Sequence, residues 1–129
     1  MNIFGAEVPF ASLCGIEPVS YADGVSRLRL QPQPALANNH GFLHGGVLSG
    51  LLDIGLASAA RCSVGLPVVT VSLQLAFLKA ARGPVSVEGR VVKSGRSLIF
   101  CEGEISDEAG EIVATATAIM KPVNPSAPA

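Results

Sequence analysis

Residues 47–63, VLSGLLDIGLASAARCS, decide how this chain folds. The stretch has no proline, is rich in good helix formers, and carries apolar residues on nearly every face. A helix apolar all round is a buried helix. Its start falls near Gly45 and Gly46 and its end at Val64, where Gly65 can take a left-handed cap and Pro67 blocks continuation. The period then changes. Val69, Val71, Leu73, Leu75 and Phe77 alternate with Thr70, Ser72, Gln74 and Ala76, the two-residue repeat of a half-buried strand. Val85, Val87 and Val91 begin another strand that runs to Lys93. The turn Lys93-Ser94-Gly95-Arg96 leads into SLIFCEGEIS, and Asp107-Glu108-Ala109-Gly110 leads into EIVATATAIM, so two successive hairpins follow. Ahead of the helix, VSRLRL (Val25–Leu30) also alternates, and residues 10–16 fit a short helical turn. One strand, a long buried helix and four antiparallel strands predict an α+β fold with an antiparallel sheet wrapped around a central helix.

With 129 residues, 49% of them hydrophobic, the chain is the size of one domain (1–129) and can bury a core without disulfides. Residues 122–129 read as a frayed tail. Nine Lys and Arg balance ten Asp and Glu with no basic run, so no nucleic-acid partner is expected. The opening residues lack the charged start of a secretory signal, and Cys14, Cys62 and Cys101 have no metal-ligand spacing. They read as reduced core cysteines of a cytoplasmic protein. Residues 42–60 are the most apolar stretch, but Asp53 and four glycines interrupt them, so no membrane span is expected.

Asp53 is the only charge between Leu30 and Ala60. An unpaired buried carboxylate costs several kcal/mol, so a chain keeps one there only if it is paired, solvated in a cleft, or used. An ion pair with Arg61 satisfies that demand as well as a catalytic role does. Upstream, Gly45 and Gly46 open the helix, and the free N–H groups of a first helical turn carry partial positive charge suited to an oxyanion. A glycine pair is equally at home as plain loop punctuation.

Taken together, Asn38, Gly41, Leu43, His44-Gly45-Gly46 and Asp53 resemble the signature of the hotdog acyl-CoA thioesterases of the phenylacetate-degradation type: N, two residues, G, one residue, L, HGG, and an acid nine residues after the histidine. The likeness extends to FASLCGI as the leading helix, TVSLQLAFLKAA as the central strand, and VVKSGRSLIFCEGEISDEAGEIVATATA as the closing hairpins. Ala80 and Ser72 depart from the family, where proline and an acid are frequent. The resemblance implies a hotdog fold and hydrolysis of an aromatic or medium-chain acyl-CoA. It makes Asp53 the base or nucleophile and Gly45 N–H the donor to the thioester carbonyl. Asn38 would help hold the thioester or the water, and Thr70 would position water.

His44 reads as a structural or polarising residue, because no G-x-S-x-G nucleophile sequence accompanies it. His40 reads as a loop histidine. No metal and no cofactor are expected, since His40 and His44 have no acidic or cysteine ligand at useful spacing. Gly46, Arg96, Lys79 and Arg82 are the candidates for holding substrate, with Arg96, which follows the hairpin glycine, ranked first for the CoA phosphates; Lys93 is a weaker candidate. Along one helix, His44 and Asp53 are rotated by about 900° and displaced by about 13 Å, so they do not meet within one chain. A site using both Gly45 and Asp53 therefore requires a homodimer with shared sites, and the resemblance extends this to a dimer of dimers. Other readings are a hotdog dehydratase or hydratase, whose D-x-N-x-x-H and G-H-F-P-like patterns are missing here, and a non-catalytic acyl-CoA-binding module.

Overall fold

The spacing of the long helix is met at both ends. In the computed structural model, which describes residues 2–124, helix α2 spans Gly45–Val64. His44 caps its start, and Gly65, at φ 72°, returns its N–H to Arg61 O at its end. Before α2 come two short paired strands, β1 (Asn2–Ile3) and β2 (Ala6–Glu7), helix α1 (Pro9–Cys14), and strands β3 (Ile16–Ala22) and β4 (Val25–Leu30). After it come β5 (Val68–Phe77), β6 (Val85–Ser94), β7 (Ile99–Asp107) and β8 (Ile112–Pro122). Strands β3 to β8 form one antiparallel sheet in the order β3-β4-β6-β7-β8-β5, and α2 packs against every strand of it. This is the hotdog arrangement.

Close approach of helix to sheet explains the glycines on their contact line. A Cβ on Gly89 would lie 2.6 Å from Gly55 O of the helix, and one on Gly103 would lie 2.7 Å from Leu56 Cδ1 of the helix and 2.4 Å from Glu88 O of β6, so no side chain fits at either position. The buried Ser26 hydroxyl donates to Gly55 O at 2.6 Å and fixes the same crossing. Around it Leu51, Leu52 and Leu56 are fully buried. Each such side chain contributes about 1.5–3 kcal/mol relative to exposure.

Four expectations change. First, α2 is not buried all round: Gly46, Gly50, Asp53, Ala57 and Arg61 form a stripe that the sheet leaves exposed or half-buried. Apolar composition alone did not show that only one side meets the sheet. Second, the helix is uninterrupted and long and apolar enough to cross a membrane by length and composition; its packing, not its glycines, marks it as a core helix. Third, β3 was not anticipated, because Pro18 breaks its alternation, where the register also slips. Fourth, Pro122 belongs to β8, paired with Val68, and Val123 N–H donates to Pro67 O; the rest of the expected tail lies largely outside the described residues.

The strand that the resemblance makes central, β5, lies at the edge of the sheet, paired with β8 alone. It also has a bulge between Thr70 and Ser72. The extra residue shifts the alternation: Thr70 pairs with the fully buried Met120 on the helix side, while Val69 and Val71 are 48% and 56% exposed. The apolar face expected from Val69 to Phe77 is therefore split.

Candidate active site

The helix start forms the first half of the site. His44 Nδ1 accepts from Gly46 N–H at 2.8 Å, so Nδ1 is unprotonated and the Gly46 donor is committed. His44 O accepts from Val47 and Leu48. Gly45 N–H, at the first helical position, is given to no acceptor among the described residues. His44 is thus a cap that engages its neighbours and leaves the Gly45 donor open, and Gly46 offers a ligand no free N–H.

Asn38 shapes the loop beside it. Its side-chain oxygen accepts from His40 N–H at 2.9 Å and Phe42 N–H at 3.1 Å, and its own N–H donates to Phe42 O. The amide is held so that its NH2 is the part left for a ligand. Asn38 and Gly45 line one cavity of about 400 Å³, with Phe42, Leu48, Phe77 and Leu78 supplying apolar walls. The Phe77 ring stands 3.6 Å from where a Gly45 Cβ would be. Phe77 was read only as a strand residue; its place at the β5 end facing the helix start depends on how helix and strand pack, which no local pattern encodes.

Asp53 and Thr70 make the second half. The Thr70 hydroxyl donates to Asp53 Oδ1 at 2.7 Å and also touches Met120 Sδ at 3.3 Å. Asp53 is half-buried rather than desolvated in a single chain, and among the described residues it is in no ion pair. Arg61, its suggested partner, donates instead to Ile3 O. Eight helical residues separate Gly45 from Asp53, about 12 Å along the axis. Asp53 and Thr70 do not line the cavity that holds Asn38 and Gly45.

The basic residues are also dispersed. Lys79 lines the same cavity but is bound to Asp107 at 2.7 Å and to Glu111. Its hydrogen bonds to Asp107 and then to Glu111 hold the Lys79 ammonium above the usual lysine range, and the same contact lowers the Asp107 carboxyl. Arg82 is in no ion pair among the described residues; its guanidinium lies 4.4 Å over the Phe42 ring, which faces the cavity. Arg96, in the β6–β7 turn, is separated from the Lys79–Asp107 contact by the length of β7, about 26 Å. One ligand on one chain does not reach both. Among the described residues, His40 hydrogen-bonds to Asn39 and Asn38 alone. No group of three or more His, Cys, Asp or Glu among the described residues is placed to hold a metal ion. Cys14 and Cys101 are buried, which raises both thiols, Cys101 to about 11, while Cys62 is half-buried.

The sequence profile of the thioesterase superfamily matches residues 40–114. A protein from Saccharolobus solfataricus, provisionally named an esterase, is 35% identical over 78 residues, covering 59% of this chain and 56% of its own. The chain thus spans little more than half the length of that curated relative. A phenylacetic acid degradation-related protein from Ralstonia eutropha JMP134 is 29% identical, with a TM-score of 0.82 over 92% of this chain and 93% of that one. A Streptococcus mutans protein solved bound to acetyl CoA is 25% identical, with a TM-score of 0.79 over 84% of this chain and 89% of its own.

Proposed function

Because the chain belongs to the thioesterase superfamily, we propose that it hydrolyses an acyl-CoA to the free acid and CoA, in sites that two copies of the chain build together. The observation that carries this reading is the division of the site: an uncommitted Gly45 N–H and Asn38 amide in one cavity, and a carboxylate steadied by Thr70 too far along the same helix to reach it. The unpaired edge of β5 and its exposed Val69, Val71 and Phe77 favour joining two sheets there, which would make β5 central. A two-fold axis then sets the Gly45 end of one helix against Asp53 of the other. The acetyl CoA in the Streptococcus mutans relative supports a CoA thioester as substrate.

In this site the thioester carbonyl oxygen accepts from Gly45 N–H, with the positive end of α2 behind it, and from the Asn38 NH2. Asp53 from the partner copy either takes a proton from water, which attacks the carbonyl carbon, or attacks it directly to give an anhydride that water opens. Either way the carbon–sulfur bond breaks and CoA leaves as the thiol. His44 acts through its cap. Arg82, stacked on Phe42 and in no ion pair among the described residues, replaces Arg96 as first choice for the CoA phosphates on the cavity side; Lys79 is already neutralised by its two carboxylates. An aromatic or medium-chain acyl group is proposed for the side of the site beside Asp53. The pair is proposed to assemble further as a dimer of dimers in the cytoplasm.

The test is release of free thiol from a panel running from phenylacetyl-CoA through hydroxylated aromatic to medium-chain thioesters, before and after prolonged EDTA treatment. Hydrolysis of at least one member, unchanged by EDTA, is the expected result. Binding without turnover would indicate a non-catalytic acyl-CoA module, and activity lost to EDTA and restored by one divalent ion would overturn the metal-free mechanism.

A further inference from the structure

Residues 2–15 do more than precede the six-stranded sheet. They lie along the stripe of α2 that the sheet leaves uncovered, and touch it on both sides of Asp53. Toward the helix end, Arg61 Nη2 donates to Ile3 O at 2.7 Å, and Ile3 is 1% exposed. Toward the helix start, the Phe10 ring of α1 sits in the notch of Gly50: a Cβ built there would lie 2.5 Å from Phe10 Cε2. Gly50 and Asp53, three residues apart, are neighbours on one helix face, about 60° and 4.5 Å from each other.

Phe10 is held along one edge but open on the other. Ala11 and Cys14 anchor α1 in the core at 0% and 2% exposure, whereas Phe10 keeps 43%. A large ring fixed against backbone with an apolar face free, one helical turn from the candidate carboxylate, is a wall for an apolar group. The group that must pass Asp53 is the acyl part of the thioester, because its carbonyl carbon is the atom attacked.

We infer that Phe10 is a specificity-determining residue that limits the length of the acyl group accepted beside Asp53. The inference rests on the thioesterase reading above. It concerns the acyl side of the site only, since the cavity at Gly45 and Asn38 does not include Phe10.

The test is a chain-length profile, the ratio of kcat/KM for each straight-chain acyl-CoA from butyryl to dodecanoyl, in the wild type, Phe10→Ala and Phe10→Trp. Phe10→Ala should move the profile toward long chains by about tenfold in the dodecanoyl to butyryl ratio, and Phe10→Trp should move it the other way, the range a hydrophobic pocket commands per change of a few methylenes. Gly50→Ala is the second probe: it keeps Phe10 but fills the notch, so the ring must leave its seat, while alanine is the better helix former. Its profile should shift as well. An active protein whose profile is unmoved by all three substitutions would overturn the assignment of Phe10 and leave the thioesterase reading standing. A folded wild type that hydrolyses no thioester of either panel would overturn the parent reading, and the assignment with it.

Discussion

Asp53→Asn is expected to lower thioester hydrolysis by at least about 10²-fold while leaving the fold in place. The asparagine oxygen can accept from the Thr70 hydroxyl as Oδ1 does, and no ion pair is broken among the described residues, so the local packing has little reason to change. What disappears is the ability to take a proton or to attack a carbonyl. Thiol-release kinetics measure the loss. Thermal unfolding and calorimetric titration with a non-hydrolysable acyl-CoA analogue show whether fold and binding persist. Turnover near the wild-type rate in this variant would remove Asp53 from the mechanism.

The second large effect is a gain. Asn38→Asp and Asp53→Asn should each be inactive alone, yet regain activity when unfolded together and refolded as a mixture. Asn38→Asp suits this experiment better than alanine, because a carboxylate still accepts from His40 N–H and Phe42 N–H and keeps the loop, while it presents no donor to the thioester. If each site takes Asn38 from one copy and Asp53 from the other, a mixed dimer holds one intact site and one doubly altered site. Random assortment makes half the dimers mixed, so about a quarter of wild-type activity should return. Were both residues drawn from the same chain, every site would keep one defect. Absence of recovery, with exchange verified by native mass spectrometry, would refute the shared site.

The long helix was readable because everything that defines it is local: an unbroken run of helix formers, Gly45 and Gly46 at its start, and Gly65 with Pro67 at its end. The hairpins from β6 to β8 were readable for the same reason. The leading half of the sheet was less so. Asp23 and Gly24, at φ 50° and 79°, make the tight turn between β3 and β4, and that Asp-Gly pair was a hairpin signal in plain view; Pro18 in the strand before it hid the partner. The bulge in β5 left no local mark at all, since an added residue changes phase without changing composition.

The site divides along similar lines. Gly45, Asn38 and Asp53 were singled out through a motif, and the separation of Gly45 from Asp53 followed from helix geometry. Burial of Asp53 was overestimated because the stripe it occupies is left open by the sheet of its own chain. The standing of the basic residues depends on partners distant in sequence: Lys79 meets Asp107 and Glu111 across a hairpin, and Arg82 meets Phe42 forty residues earlier. Spacing along the chain gives no access to such pairs.

The bulge between Thr70 and Ser72 makes the orientation of Thr70 a matter of counting rather than of chemistry. A strand is a parity: each residue inserted or removed exchanges inside for outside for everything beyond it, up to the next irregularity. Replacing Val71, whose side chain is 56% exposed, leaves that parity alone, and a broad range of residues should be tolerated there. Deleting it would remove the bulge and leave a regular ladder: Thr70 stays opposite Met120 on the helix side, Ser72 opposite Ile119, and Leu73, Leu75 and Phe77 keep their partners on β8. In this strand a residue missing at the bulge would therefore do less harm than one missing from the regular ladder beyond it, where inside and outside would be exchanged.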